Sequence, residues 1–117
     1  MSGREGKLRT NEEYREVLTC GQAAVSGLAV VYALRREGPR RAGVTVPRRF
    51  GRAVARNRIR RLLWEAYRAS ENQLVQDCRV VIIPRQRSRG QRYEAILSSL
   101  AGLFRRLGLF GEESGER

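Results

Sequence analysis

The sequence predicts one small two-layer α/β (α+β) sandwich, a single β-sheet with helices packed on it. Stretches with the two-residue alternation of strands are interspersed with stretches of helical periodicity, in the order α-β-β-α-β-α. The first strand region is long enough to form two strands. The 117 residues, 41% of them hydrophobic, suit one domain with a modest core. We expect a single domain over residues 1–117, with an ordered core at about residues 8–109 and flexible ends.

The first helix is predicted at Asn11–Cys20. Thr10 and Glu13 have the spacing of a capping box, in which the two residues exchange hydrogen bonds between side chain and backbone N–H. Gly21 is suited to closing the helix. One face of this helix carries Tyr14, Val17 and Leu18.

The next elements are strands. The region Ala24–Arg35 is rich in Val, Leu and Tyr, and a turn is predicted at residues 37–39. A second strand over Ala42–Val46 is expected to run antiparallel to the first and to end before Pro47, which cannot donate to a ladder. One face of the first strand carries Val30, Tyr32 and Leu34, and the other carries Ala29, Val31 and Ala33.

The run Gly51–Arg68 predicts a helix with two contrasting faces. Its first turn contains no acidic residue, so the positive end of the helix dipole is left for another anion, such as a phosphate. The apolar stripe comprises Ala55, Ile59, Leu62, Leu63 and Ala66. The opposite side carries Asn57, Arg58, Arg60, Arg61, Trp64 and Arg68, with Arg56 on the border.

The C-terminal part adds a strand and a helix. Arg79–Pro84 is a continuous apolar run, as expected for a central strand. A basic loop over Arg85–Gln91 leads into a helix predicted at Arg92–Leu107, and residues 111–117 have the composition of a disordered tail.

The charge distribution favours a nucleic-acid partner. The net charge is +12, and between Arg35 and Arg68 twelve arginines face only Glu37 and Glu65. Such a localised basic surface is the electrostatic footprint of nucleic-acid binding, because like charges at this density repel unless something neutralises them. A charged solvated face and an anionic membrane surface are the alternatives. However, no stretch reaches the length of a membrane-spanning helix, and no signal peptide is evident, so we expect a cytoplasmic protein without a membrane partner.

The chain lacks the residues of a self-sufficient nuclease. It has no His, and its two cysteines, Cys20 and Cys78, are far apart in sequence and in no C-x-x-C pair, which argues against a zinc site. Two free thiols are the default expectation, and a disulfide between them is the alternative. The basic middle of the chain has too few carboxylates for metal or general-base chemistry. We therefore predict no catalytic residue and no metal ligand on this chain.

Three aromatic residues allow two interpretations each. Trp64 falls among the arginines of its helix, where it could stack on a base or pack sideways on its own domain. Tyr14 and Tyr32 could form part of the core or line a groove for a single strand.

One segment makes the prediction specific. Val44–Leu62 reads VTVPRRFGRAVARNRIRRL, which closely resembles the signature of the bacterial ribonuclease P protein component. That signature has a glycine, an Ala-Val pair, an Arg-Asn-basic triplet and flanking basic pairs at fixed spacing. The similarity extends over about Leu8–Leu109 and includes the helix start at Asn11–Tyr14, Tyr32 and the final strand and helix.

The resemblance implies both a fold and an activity. The fold would be α-β-β-β-α-β-α, like the second domain of ribosomal protein S5, with an unusual left-handed β-α-β crossover. The protein would be a subunit of the ribonucleoprotein endonuclease ribonuclease P, which removes the 5′ leader of precursor tRNA. The RNA subunit would carry the catalysis and hold most of the Mg²⁺, with one protein for each RNA.

The resemblance also implies two binding surfaces. The catalytic RNA would contact the arginine helix, and the single-stranded leader would enter a cleft between the first helix and the sheet. The residues expected to contact the catalytic RNA are Arg52, Arg56, Asn57, Arg58, Arg60, Arg61 and Arg68. The residues expected to contact the leader are Tyr14, Leu18, Ala29, Tyr32, Val44, Thr45, Val46, Arg48 and Arg49.

This sequence departs from the family pattern in the cleft. Leu18 and Ala29 stand where the family usually has aromatic residues, so the aromatic lining is thinner. Pro47 replaces a common serine and removes a hydroxyl and a backbone donor. A structural RNA-binding protein of ribosomal type remains the alternative function, since it needs the basic helix but no leader cleft.

Overall fold

The computed structural model describes residues 6–111. The chain forms the helices α1 (Asn11–Cys20), α2 (Ala53–Ser70) and α3 (Tyr93–Arg106), and the strands β1 (Gln22–Val25), β2 (Ala29–Arg35), β3 (Arg41–Val44) and β4 (Cys78–Pro84). The predicted α/β architecture is confirmed, and the first strand region does split into two strands. The predicted flexible start and most of the predicted tail fall on residues 1–5 and 112–117, outside the described range.

The capping box of α1 forms as predicted. The Thr10 hydroxyl accepts from the Glu13 N–H at 3.1 Å, and the Glu13 carboxylate accepts from the backbone N–H of Thr10 at 3.3 Å and of Arg9 at 2.6 Å. These bonds satisfy donors that the first turn of a helix cannot pair internally. The observed helix therefore has the predicted boundaries.

The four strands form one sheet in the order β1-β2-β4-β3. β4 pairs antiparallel with β2 and parallel with β3, so β3-α2-β4 is a β-α-β crossover. The strand after the 37–39 turn runs opposite to β2, as predicted, but the two do not pair, because β4 lies between them. β4 lies between β2 and β3, and it is buried along most of its length, as its continuous apolar sequence predicts for a central strand.

Two apolar clusters lie on opposite faces of the sheet. The larger one joins the sheet to α2 and α3, and Ala29, Val31 and Ala33 of β2 point into it. The small side chains of Ala29 and Ala33 allow the helices to approach closely, as the sequence indicates. The smaller cluster joins the other face to α1. Its members are Leu8, Val17 and Val81, with Tyr14, Tyr32, Leu34 and Ile83 packed against them.

Candidate RNA interface

Helix α2 has the two faces that its sequence predicts. Ile59, Leu62, Leu63 and Ala66 are buried in the larger cluster, and Ala55 packs against it. The other side defines the arginine face, which comprises Arg52, Arg56, Asn57, Arg58, Arg60, Arg61 and Arg68.

The start of α2 is open to an anion. Its N-cap, Arg52, makes no side-chain capping bond, and the first turn has no acidic residue. Arg52, Ala53 and Val54 at this end of the helix are all exposed, Val54 by 81%. The backbone N–H groups and the positive end of the dipole therefore remain available to a phosphate.

Two residues of the arginine face are anchored by the chain itself. Arg56 donates to the carbonyl of Gly51 at 2.7 Å, and Arg58 donates to the carbonyl of Gln91 at 2.8 Å. Both side chains are half-buried, and Arg60 is too, whereas Arg52, Asn57, Arg61 and Arg68 are exposed. Each anchored guanidinium keeps further N–H donors, so its direction is fixed without using up its binding capacity.

Carboxylate partners are nearly missing from the arginine face. Within residues 6–111, its one ion pair joins Arg61 to Glu65 at 3.9 Å, and both side chains are largely exposed. The remaining pairs of the described chain involve other arginines, and they lie on or beside α1 and the ends of the strands. These pairs are Arg35–Asp77, Arg36–Glu16, Arg40–Glu71, Arg41–Glu13 and Arg79–Glu16.

Trp64 packs sideways on its own domain. It contacts the larger cluster and meets the Tyr67 ring edge to face, with centroids 5.9 Å apart. The Nζ of Lys7 lies 4.6 Å from the indole centroid, and the Cζ of Arg68 lies 5.6 Å from it. These are cation–π distances, and the two cations occupy space where a stacked base would lie.

The predicted leader cleft falls between α1 and the sheet, where Tyr14 and Leu18 lie on α1 and Tyr32 lies on β2. Tyr14 and Tyr32 are half-buried against the smaller cluster, while Leu18 is 38% exposed. Burial raises the pKa of Tyr14, and the nearby positive charge of Arg60 partly opposes that rise.

Two residues assigned to the cleft do not line it. Ala29 and Val44 are 2% and 8% exposed, and both point into the larger cluster on the opposite face of the sheet. That part of the predicted leader site is wrong, because side chains alternate along a strand and Ala29 must face away from Tyr32. Val46 is half-buried against the same larger cluster.

The other assigned residues follow β3. Thr45, Arg48 and Arg49 are exposed, and the Thr45 N–H donates to the carbonyl of Ile82 at 3.0 Å. Arg49 also lines a groove of about 350 Å³, whose walls include Val30 and Ile83. Val30 shares the face of β2 that carries Tyr32, so this groove continues the cleft along the sheet.

A further basic stretch lies next to these residues. The basic segment, residues 85–92, carries Arg85, Arg87, Arg89 and Arg92, all exposed. The sequence marks it as a basic loop but does not indicate what it contacts. The usable signal was the presence of four arginines in eight residues without an acidic one.

The described part of the chain offers no evident metal site or membrane span. Within residues 6–111, no three His, Cys, Asp or Glu side chains come together as a metal site would require. No helix in that range has both the length and the apolar character needed to cross a bilayer. Cys20 and Cys78 are both free thiols, as predicted, and burial raises the pKa of Cys78 to about 11.

Comparisons with known proteins agree on one family. A family model described as Ribonuclease P matches residues 3–108. The ribonuclease P protein component of Clostridium acetobutylicum is 33% identical over 109 residues, covering 91% of this chain and 92% of that protein. The protein of the same name from Shouchella clausii is also 33% identical, covering 97% of this chain and 95% of its own.

Solved structures show a similar fold. The RNase P protein of Staphylococcus aureus has a TM-score of 0.82 at 22% identity, covering 92% of this chain and 100% of that chain. The RNase P protein of Thermotoga maritima has a TM-score of 0.78 at 23% identity, covering 86% of this chain and 96% of that one.

Proposed function

Because this chain belongs to the ribonuclease P protein component family, we propose that its two surfaces bind the two RNA molecules of precursor-tRNA processing. The protein is a subunit of the ribonucleoprotein that processes precursor tRNA. In our proposal, the arginine face binds the catalytic RNA and the cleft binds the 5′ leader. The RNA subunit then cleaves the leader and leaves the mature 5′ end. Family membership favours this function over that of a structural ribosomal protein.

The lack of carboxylate partners on the arginine face carries the assignment to the catalytic RNA. A solvated helix face usually mixes charges of both signs in i,i+4 pairs, whereas this face has only the loose Arg61–Glu65 pair among described residues. Its mutual repulsion is relieved by phosphates, and arginine suits them because its planar fork donates two parallel hydrogen bonds.

The chemistry of the cleft supports the leader as its ligand. Proteins hold single strands with aromatic platforms beside a basic groove. Tyr14 and Tyr32 supply half-buried rings, and the exposed Arg48 and Arg49 lie just beyond β3. The apolar walls of the adjoining groove offer room for further unpaired nucleotides.

The metal requirement falls on the RNA in this proposal. Ribonuclease P is generally metal-dependent, and within residues 6–111 no three His, Cys, Asp or Glu side chains cluster as metal ligands. A face of arginines also repels divalent cations. We propose that the Mg²⁺ ions are held mainly by the catalytic RNA, with one protein bound to each RNA. Two free thiols suit the reducing cytoplasm.

Reconstitution tests the proposed function. The protein alone is expected to cleave no precursor tRNA. Added to the catalytic RNA, it should lower the Mg²⁺ concentration needed for cleavage and tighten the binding of precursor tRNA. Rates are measured across a Mg²⁺ titration, with and without protein. If neither the Mg²⁺ dependence nor the substrate affinity changed, the proposal would be wrong.

A further inference from the structure

The basic segment is held rigidly although its arginines are exposed. Ser88 is fully buried, and its hydroxyl donates to the carbonyl of Arg85 at 2.7 Å. The Gln86 side chain donates to the carbonyl of Arg49 at 2.6 Å. Together with the bond from Arg58 to the Gln91 carbonyl, these contacts fix the segment to both RNA-facing surfaces. A preorganised loop loses little conformational entropy when it binds a ligand.

The segment forms a small cavity with the start of α2. This basic notch has a volume of about 180 Å³ and is lined by Phe50, Ala55, Arg58, Arg89 and Gly90. Arg89 lies over the backbone of Gly51, since a Cβ at position 51 would be 3.5 Å from its Cζ. Two guanidinium groups from distant parts of the chain thus line one cavity.

The charge of the notch is not balanced by the protein. No ion pair of Arg58 or Arg89 is found within residues 6–111, and no acidic side chain lines the notch. Two like charges at one cavity repel each other, and the repulsion is relieved when an anion lies between them. A phosphate fits this role, because each guanidinium retains N–H donors for its oxygens.

We propose that the basic notch binds a backbone phosphate of the catalytic RNA, with Arg89 as a contact residue outside the arginine helix. The inference rests on the proposed function. The notch opens beside the first turns of α2, whereas Arg85 and Arg87 line the groove that continues the cleft. Arg58 has a second role here, because its bond to Gln91 also positions the segment.

The test replaces Arg89 and measures binding to the catalytic RNA over a range of salt concentrations. Arg89→Gln is expected to weaken binding about tenfold near physiological salt and to reduce the slope of log affinity against log salt by about one. Arg89→Lys keeps the charge and should retain most of the slope. Arg105→Gln is the matched control, since Arg105 is an exposed arginine at the far end of α3.

Three results separate the possibilities. If Arg89→Gln has the same slope as the wild-type protein, or if Arg105→Gln loses as much as Arg89→Gln, the notch is not a phosphate site. If catalytic-RNA binding is unchanged but leader-dependent binding of precursor tRNA weakens, the notch serves the leader and our assignment is wrong. If the wild-type protein itself neither binds the catalytic RNA nor aids cleavage, it is the proposed function that fails. Circular dichroism confirms that each variant is folded.

Discussion

The Tyr14 ring lies against the backbone of Gly43, in space that any side chain at position 43 would fill. A Cβ built on Gly43 would be 2.5 Å from three atoms of the Tyr14 side chain, including its hydroxyl oxygen. The close approach fixes where the Tyr14 ring lies, between α1 and β3. A residue without a side chain therefore determines where an aromatic ring of the proposed leader site lies.

Gly43→Ala is expected to destabilise the protein by about 1–3 kcal/mol, because the added methyl group overpacks the contact with Tyr14. It should also weaken the binding of precursor tRNA more than that of mature tRNA, because the Tyr14 ring is displaced. Gly102→Ala in α3 is the control. A Cβ at Gly102 has nothing within 4 Å, so the same change should stabilise the helix by about 0.5–1 kcal/mol. Urea denaturation measures both, and changes of equal sign would contradict the explanation.

Ala29 and Val44 show a limit of assigning single site residues from family resemblance. The alternation along β2 already indicates that Ala29 and Tyr32 face opposite ways, and the structure agrees. The assignment of Ala29 and Val44 came from family resemblance, which identifies positions near a site without distinguishing the two faces of a strand. Local periodicity was the better guide.

Among the elements, α1 shows most clearly how local signals fix structure. Its start was predictable from Thr10 and Glu13 alone, because a capping box depends only on residues within one turn. Its end at Gly21 was also predicted, although Gly21 is extended there and does not adopt the left-handed conformation of a glycine cap. The partner of β3 was not predictable in this way. Whether β4 enters the sheet beside β3 depends on how α2 crosses the sheet, and that involves contacts between residues far apart in sequence.

The capping box also predicts how the stability of α1 depends on pH. The backbone N–H of Arg9 chiefly lowers the pKa of Glu13, with help from Thr10 and the charge of Arg41, while partial burial opposes the shift. The native pKa thus lies below the unfolded one. The stabilisation is present above the unfolded value, near 4.5, and is lost as the pH falls through the lower native value.

Glu13→Gln should therefore lower the melting temperature at neutral pH and reduce its further fall in acid. Glu12→Gln is the matched control, because Glu12 is an exposed acid in the same first turn and outside the capping box. Melting curves followed by circular dichroism between neutral and acidic pH provide the measurement. Identical acid sensitivity in the two variants would show that the capping bonds of Glu13 contribute nothing.

At the scale of the whole molecule, the sheet separates the two proposed RNA surfaces. α2 packs on one face of the sheet and α1 on the other. Composition and spacing were enough to predict the arginine face, whereas the leader cleft was predicted from the family resemblance. The basic notch could not be predicted from the sequence, because it forms only where residues 50–58 and residues 89–90 meet in the folded chain.

Separate surfaces predict separable losses. Tyr32→Ala should weaken the binding of precursor tRNA more than that of mature tRNA, and it should leave the affinity for the catalytic RNA unchanged. Tyr32→Phe keeps the ring and should retain the preference for precursor over mature tRNA. Arg61→Gln should weaken only the binding of the catalytic RNA, and it should reduce the slope of log affinity against log salt by about one. In the double variant, the free-energy losses should add within about 0.5 kcal/mol. A larger coupling energy, measured by titration of each RNA, would mean that the surfaces are not independent.

The surroundings of Trp64 have a practical consequence. The chain has one tryptophan, and it lies on α2 with Lys7 and Arg68 over its ring. Indole fluorescence responds to nearby charge, so a ligand that draws Arg68 away alters the emission. The protein thus carries a built-in optical reporter on the side of the helix that we assign to the catalytic RNA, and assembly can be followed without attaching a dye.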